Sequence, residues 1–191
     1  MSVYILDGKR TPVGSFQGAL SSIPAPELAG YAIKKLMADP KISSRLVDEV
    51  ILGQVIQAGV GQAPARQAAL CSGLPNSVGC TTINKVCGSG LKAIIMGAQS
   101  IKCGDNEVVV AGGMENMSIA PHLLPASRKG VKFGSAEIKD SMQWDGLWDV
   151  YTDRPMGNCA EECVDKFGFS RASMDEFAIE SFKRAQRAVE D

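Results

Sequence analysis

Apolar residues along the chain alternate between short runs and stretches with helical spacing. The short runs predict strands at residues 3–6, 47–52, 81–83 and 108–111. Helical spacing predicts helices over residues 26–36, 65–71 and from Cys87 or Gly88 to Lys102, with Gly104 as a C-terminal stop. Strands that alternate with helices favour an α/β layered domain with a largely parallel or mixed sheet.

This alternation breaks after Met114, and residues 114–155 contain few periodic stretches. A loop of that length in a compact domain is usually functional or contains an unrecognised element. Two helices are predicted to follow, over residues 158–167 and 173–188, and Ser173 with Glu176 fits a capping box. The last helix ends on two carboxylates without a Gly or Asn cap, so we expect residue 191 not to be a natural helix end.

The charge, the hydrophobic content and the cysteine count of the chain exclude several classes of protein. The chain has 191 residues, 20 Lys and Arg against 21 Asp and Glu, and a net charge of -1, which gives no electrostatic reason to expect nucleic acid or an anionic membrane as partner. Hydrophobic residues make up 45% of the chain, and no apolar run approaches the ~18 residues of a spanning helix. Six cysteines, and no room for a signal peptide before Val3, predict a reducing, cytoplasmic location.

Cys87 lies between the strand predicted at 81–83 and the long helix, beside Gly88 and Gly90. A nucleophile on a sharp strand-to-helix turn is exposed, lies at the positive end of the helix and has small neighbours that admit a substrate. A helix N-terminus contributes only about 0.3–2 kcal/mol, so an efficient cysteine nucleophile usually also has a base such as His nearby. The one His, His122, lies in the irregular segment, and the alternative interpretation of Cys87 is a small buried residue in a tight turn.

The helix after Cys87 has two different faces. Large apolar residues are predicted to bury one face, and small residues let another backbone come close on the other, so the helix is expected to be buried on most sides. The large residues are Leu91, Ile94, Ile95, Ala98 and Ile101, and the small ones are Gly90, Ala93 and Gly97.

The sequence around Cys87, NKVCGSG at residues 84–90, resembles the nucleophile motif of the thiolases, the acetyl-CoA acetyltransferases. Four further stretches resemble that family in the expected order. They are DGKRTP at 7–12, GQAPARQ at 61–67, AGGMENMS at 111–118 and MGNCAE at 156–161. The resemblance covers essentially the whole chain.

The resemblance implies a thiolase-like layered α/β/α half-sandwich with a mixed sheet, followed by an irregular and helical loop domain. Residues 1–115 would be the N-terminal α/β domain and residues 116–191 the beginning of the loop domain. Thiolases are about twice this length, and their C-terminal half carries the catalytic His of a Gly-His-Pro motif and a second Cys. His122 matches a loop position of the family and not that base. Half of the sandwich alone would leave an apolar helix face uncovered.

The implied reaction is a reversible Claisen condensation through an acyl-enzyme on Cys87, or thiolysis of a 3-ketoacyl-CoA in reverse. The backbone N–H of Cys87 would supply one oxyanion donor. Leu147 and Met156 would line the pantetheine tunnel. Pro155 stands where many relatives have His, so the resemblance implies the reaction class but not the acyl-chain preference. Acyl-CoA and CoA would be the partners, no other cofactor or metal is implied, and the full-length protein would be a dimer or tetramer. The isolated chain is expected to be inactive.

Two alternatives remain open at this point. One is a ketoacyl synthase-type condensing enzyme, which shares the fold but usually surrounds its cysteine with other residues. The other is a non-enzymatic, thiolase-like interaction module. Cys159 and Cys163 could share a helix face as metal ligands do, but without a second ligand pair we expect them to be buried helix residues.

Overall fold

The computed structural model describes residues 2–190. The first part of the chain alternates between helices and strands: α1 (Ala25–Leu36), β1 (Glu49–Gly53), α2 (Pro64–Ser72), β2 (Gly79–Ile83), α3 (Ser89–Cys103) and β3 (Val109–Gly113). Short strands and two long helices follow: β4 (His122–Leu123), β5 (Lys139–Asp140), β6 (Trp148–Asp149), β7 (Arg154–Pro155), α4 (Met156–Phe167) and α5 (Arg171–Glu190). Single turns of 3₁₀ helix lie at Ser44–Leu46, Met117–Ile119 and Ser127–Lys129, and a π-helix spans Met142–Leu147.

The three longer strands form one parallel sheet in the order β2-β1-β3. In this register Ile51 pairs with Thr81 on one side and with Ala111 on the other. Helix α2 connects β1 to β2 and α3 connects β2 to β3, as parallel strands require a crossover. The α/β architecture is therefore confirmed, and these three strands are all parallel.

Successive side chains of a strand point to opposite faces of the sheet. On one face Val50, Leu52 and Val110 join the core together with residues of α1 and α2. On the other face α3 comes so close that a Cβ at Gly97 would lie 3.0 Å from Val109 and 3.7 Å from Ala111. The sheet thus lies between α1–α2 and α3, as a layered half-sandwich requires.

Helix α3 uses its small residues against the sheet. Ala93 and Gly97 are buried, which confirms the prediction that this face lets another backbone come close. The large apolar face is exposed, with Leu91 at 65%, Ile94 at 43% and Ile95 at 42% of full exposure. The expectation that α3 is buried on most sides is therefore wrong for this chain, whereas the uncovered apolar helix face is confirmed.

Asp48 ties the start of β1 to the start of β3. Its Oδ2 accepts hydrogen bonds from the backbone N–H groups of Glu107, at 2.7 Å, and Val108, at 2.9 Å. The hydrogen bond from Val108, and then that from Glu107, lowers the pKa of the Asp48 carboxyl below its ordinary value. One exposed carboxylate thereby helps to set the register between the central strand and its neighbour.

Residues 3–6 do not form the predicted strand. Tyr4, Ile5 and Leu6 are 72–85% exposed, and in the described chain no strand pairs with this segment. An apolar run has strand propensity, but a strand also needs a neighbouring ladder that satisfies its backbone groups. The prediction from local pattern is wrong here because that neighbour is not supplied by residues 2–190.

The chain divides into two compact units, Met1–Gly146 and Leu147–Asp191. In the second unit, β6 and β7 form an antiparallel hairpin in which Trp148 pairs with Pro155. The domain boundary expected near residue 115 concerns the architecture of the family and stays a prediction.

The two final helices differ in detail from their predictions. Helix α5 begins at Arg171, two residues before the expected start at Ser173, because the Ser170 hydroxyl accepts the backbone N–H of Ser173 at 3.1 Å and acts as the cap. Helix α4 buries none of its residues, so the expectation that Cys159 and Cys163 are buried is wrong. None of the helices between residues 2 and 190 combines the length and apolar character needed to cross a membrane.

Candidate functional site

The three parallel strands end at the same edge of the sheet, at Gly53, Ile83 and Gly113. The backbone continues this alignment past the strands, because Gln54 donates its N–H to Ile83 at 3.0 Å and Met114 donates to Gly53 at 2.9 Å. The segments that leave the strands therefore lie side by side. The carboxyl edge of a parallel sheet is the usual place for a ligand site in α/β proteins.

Cys87 lies at this edge, in the turn between β2 and α3. It precedes Gly88, the N-cap residue of the 15-residue helix α3, and its side chain is exposed. The exposure contradicts the alternative interpretation of a small buried residue. The structure places the thiol as the sequence predicts, next to the positive end of a helix dipole. Its role as a nucleophile stays a prediction.

The turn before Cys87 has a strained backbone. Val86 has φ 48°, in the left-handed region, which costs a residue with a branched Cβ about 1–3 kcal/mol. Two side chains hold this conformation: Asn84 Oδ1 accepts the Val86 N–H at 2.8 Å, and the Ser89 hydroxyl donates to the Val86 carbonyl at 2.6 Å. The same hydroxyl accepts the Lys85 N–H at 2.8 Å, so both side chains close the turn on itself.

Glycines let the first turn of α3 rest directly on the strand ends. A Cβ at Gly53 would lie 2.5 Å from the carbonyl carbon and Cβ of Ser89, and one at Gly113 would lie 3.2 Å from Gly90 Cα. Real Cβ atoms essentially never come within 3.0 Å of a neighbour, so Gly53 admits no side chain without a shift of the backbone. The position of Cys87 over the sheet therefore depends on Gly53.

Glu115 lies just past the end of β3 and reaches across to the segment that leaves β1. Its carboxylate accepts the Val55 N–H at 2.8 Å and the Ile56 N–H at 3.3 Å. Burial raises the pKa of the half-buried Glu115 carboxyl, against the opposing effect of hydrogen bonds from Val55, Ile56 and the Gln54 side chain. The motifs of the sequence did not by themselves mark Glu115, Asn84 or Ser89 as site residues. The signal that could have found the first two is an Asn directly after strand β2 and an acidic residue two positions after the end of strand β3.

The other predicted site residues lie elsewhere. Leu147 and Met156 belong to the second unit, at 44% and 40% exposure. They directly flank the β6–β7 hairpin, whose Trp148–Pro155 pair places them at its open end. This brings the two residues assigned to the substrate tunnel together. His122 is exposed in β4, where it pairs with Asp140.

Two negative findings concern the described residues 2–190. They contain no group of three or more His, Cys, Asp and Glu side chains that could hold a metal ion. A cleft of about 530 Å³ lies between the segment 10–16 and residues 115–118, and Cys87 is not among its lining residues. We therefore assign the candidate site to the turn at Cys87, which carries the reactive thiol, and not to this cleft.

Fold and turn together define an α/β protein that presents a cysteine between a parallel strand and the N-terminus of a helix. The family model "Thiolase, N-terminal domain" matches residues 3–191, so the chain belongs to the thiolase family. Of the two alternatives left open above, the condensing enzyme of ketoacyl synthase type is therefore not favoured.

Similar proteins agree with this assignment. The chain is 53% identical over 188 residues to the acetyl-CoA acetyltransferase of Pseudomonas aeruginosa, covering 98% of this chain and 48% of the relative. It is 52% identical over 188 residues to acetyl-CoA acetyltransferase 2 of Arabidopsis thaliana, and the match covers 98% of this chain and 47% of that relative. The crystal structure of Acat5 thiolase from Ascaris suum in complex with coenzyme A matches with a TM-score of 0.92 and 43% identity, over 98% of this chain and 48% of that one. The chain spans about half the length of the curated relatives it matches.

Proposed function

We propose that this chain is the N-terminal part of an acetyl-CoA C-acetyltransferase whose nucleophile is Cys87. The observation that carries the proposal is the exposed thiol at the start of α3, in a chain of the thiolase family. Relatives about 50% identical over nearly all of this chain are named acetyl-CoA acetyltransferases, which supports acyl transfer as the reaction.

In the proposed first step the Cys87 thiolate attacks the carbonyl carbon of an acyl-CoA. The bond from that carbon to the CoA sulfur breaks, and the acyl group stays on Cys87 as a thioester. CoA leaves as a thiolate and takes up the proton that the Cys87 thiol gave to a base before the attack. Negative charge develops on the carbonyl oxygen during the attack, and the backbone N–H of Cys87 is one donor available to it. The N-terminus of α3 favours the thiolate and the developing anion alike.

In the second step a second acetyl-CoA loses a proton from its methyl carbon and that carbon attacks the acyl group. A carbon–carbon bond forms, Cys87 leaves as the thiol or thiolate, and acetoacetyl-CoA is released. In the reverse direction CoA cleaves a 3-ketoacyl-CoA. Proton transfer requires a base, and the resemblance assigns this role to a His of a C-terminal half that lies outside the length of this chain. His122, exposed in β4, is not assigned to it.

Leu147 and Met156 are proposed to contact the pantetheine arm of the CoA substrate, from the open end of the β6–β7 hairpin. The structurally similar Ascaris suum thiolase was solved with coenzyme A, which supports CoA as a ligand of the complete site. Pro155 precedes Met156 where many relatives have His, so the proposal covers the reaction class and not the acyl-chain preference. A cytoplasmic location, assembly as a dimer or tetramer, and the absence of a cofactor besides CoA thioesters complete the proposal.

Competitive alkylation tests the nucleophile. Cys87 and Cys103 are exposed thiols at opposite ends of α3, so Cys103 is a matched internal control at the negative end of the dipole. Treatment with limiting iodoacetamide at neutral pH, followed by peptide mass mapping, should label Cys87 several-fold faster than Cys103. Equal rates would contradict an activated Cys87 and favour the interaction module.

The reaction itself is tested with this chain as part of a full-length thiolase. We expect Cys87→Ser to abolish acetoacetyl-CoA thiolysis, because a hydroxyl is a far weaker nucleophile than a thiolate. The matched variant Cys103→Ser changes another exposed cysteine of the same helix and should keep full activity. Activity retained in the Cys87→Ser enzyme would place the nucleophile at another residue.

A further inference from the structure

A continuous set of hydrogen bonds runs from Glu115, past the end of β3, to the turn that carries Cys87. The first link is the carboxylate of Glu115, which accepts the Val55 N–H at 2.8 Å and the Ile56 N–H at 3.3 Å. These two residues lie in the segment that leaves the central strand β1, sixty and fifty-nine positions before Glu115. Glu115 therefore joins the ends of two adjacent strands by a side chain rather than by the sheet ladder.

The second link joins this segment to the turn. The Val55 carbonyl accepts a hydrogen bond from Asn84 Nδ2 at 3.5 Å, the longest contact in the set. The same Asn84 side chain uses its Oδ1 to accept the Val86 N–H at 2.8 Å. The Asn84 side chain thus binds two backbone groups. Its Nδ2 contacts the Val55 carbonyl, next to the N–H groups that Glu115 accepts, and its Oδ1 contacts Val86, the strained residue before Cys87.

The turn needs support from outside itself because Val86 has φ 48°, which a residue with a branched Cβ adopts only when its surroundings impose it. Ser89 provides one brace from within the turn and Asn84 provides the other. Asn84 is exposed, so its own position depends on what its amide contacts. A half-buried Glu115 that fixes the Val55 peptide gives Asn84 a fixed acceptor.

We propose that Glu115 is a positioning residue for Cys87, acting through the Val55 peptide and Asn84. This inference rests on the proposed role of Cys87 as nucleophile and assigns no contact between Glu115 and the substrate. Glu115 holds the segment after β1, that segment orients Asn84, and Asn84 keeps Val86 in the conformation that presents the thiol at the start of α3.

The test measures the alkylation rate of Cys87 by peptide mass mapping in the full-length thiolase of which this chain is part. Glu115→Gln keeps the shape of the side chain but leaves one acceptor oxygen for two N–H groups. We expect the Cys87 rate to fall about three- to tenfold, the change typical of losing one hydrogen bond that holds a reactive geometry. Glu27→Gln makes the same chemical change at a half-buried site on α1, where Glu27 accepts the Tyr31 hydroxyl, and should leave the rate unchanged.

A double-mutant cycle separates positioning from a general loss of structure. Asn84→Ala removes the downstream link, so adding Glu115→Gln to it should lower the Cys87 rate no further. If the two substitutions lowered the Cys87 alkylation rate independently, so that their factors multiplied in the double variant, the proposal would be overturned. Cys80, a half-buried thiol on β2, reports on unfolding in the same samples, and its rate should stay that of the wild type. Accelerated labelling of Cys80 in Glu115→Gln would show a merely structural role and would also overturn it.

The same data distinguish this inference from the proposed function. A wild-type Cys87 that reacts no faster than Cys103 contradicts the nucleophile, whatever Glu115 does. A fast Cys87 that is unaffected by Glu115→Gln contradicts only the positioning role.

Discussion

Replacing Gly53 with alanine would place a methyl group against the first turn of α3. Gly53 is the last residue of the central strand, paired with Ile83 on one side and Gly113 on the other. An added Cβ would lie 2.5 Å from the carbonyl carbon and Cβ of Ser89 and 2.8 Å from the Gly90 nitrogen. All three atoms belong to the backbone or are rigidly attached to it, so no side chain can rotate away.

These distances set the loss of folding stability expected for Gly53→Ala. Ordinary contact begins at 3.4 Å, so the first turn of α3 must retreat from the strand. Overpacking of this kind costs about 1–3 kcal/mol, and we expect the upper end because only the backbone can yield. A loss of about 3 kcal/mol corresponds to a fall of about 1 M or more in the urea midpoint. A shift of about 1 Å in a positioned reacting group can cost about 100-fold in rate, so Cys87 alkylation should slow as well.

Urea unfolding followed by far-ultraviolet circular dichroism measures the effect. Gly112→Ala is the matched control, because a Cβ at Gly112 meets only Leu52 Cδ2, at an ordinary 3.8 Å. Its free energy of unfolding should stay within about 0.5 kcal/mol of the wild type. Equal urea midpoints for Gly53→Ala and Gly112→Ala would refute the conclusion that α3 rests on the strand end at Gly53.

Two further predictions concern stability. Val86→Gly should raise the free energy of unfolding by about 1 kcal/mol, because glycine adopts φ 48° without strain. Val131→Gly is the control at an exposed site without a positive φ. If Val86→Gly lowered the free energy of unfolding as much as Val131→Gly does, the prediction would be contradicted. Asp48→Asn should lower the urea midpoint at neutral pH, because hydrogen bonds from Val108 and Glu107 lower the pKa of the Asp48 carboxyl in the folded state. The resulting stabilisation is fully present above the ordinary pKa of 3.8 and is lost as the pH falls through the lower pKa of the folded state. The deficit should shrink as the pH falls below 3.8 and disappear once the pH is below the folded-state pKa, and a deficit of undiminished size in strong acid would contradict this assignment.

Much of the fold was predictable because its elements carry strong local signals. Helix α3 ends at Cys103 with Gly104 in the left-handed cap, as the glycine after an apolar helix predicts. The continuous apolar runs before Gly53 and at Val109 predict buried parallel strands. The exposed, helix-terminal position of Cys87 followed from two neighbouring glycines and a strand before them.

The tertiary structure decided which face of each element is covered and what each loop residue contacts. Leu91 and Ile95 have the periodicity of a buried helix face, yet in this chain the small residues of α3 meet the sheet, because only they permit the close approach. Residues 3–6 have a strand pattern, and no neighbouring strand in residues 2–190 completes it. Glu115 and Asn84 are ordinary loop residues in the sequence. Their part in holding Cys87 arises because parallel pairing aligns the ends of three strands that lie far apart along the chain.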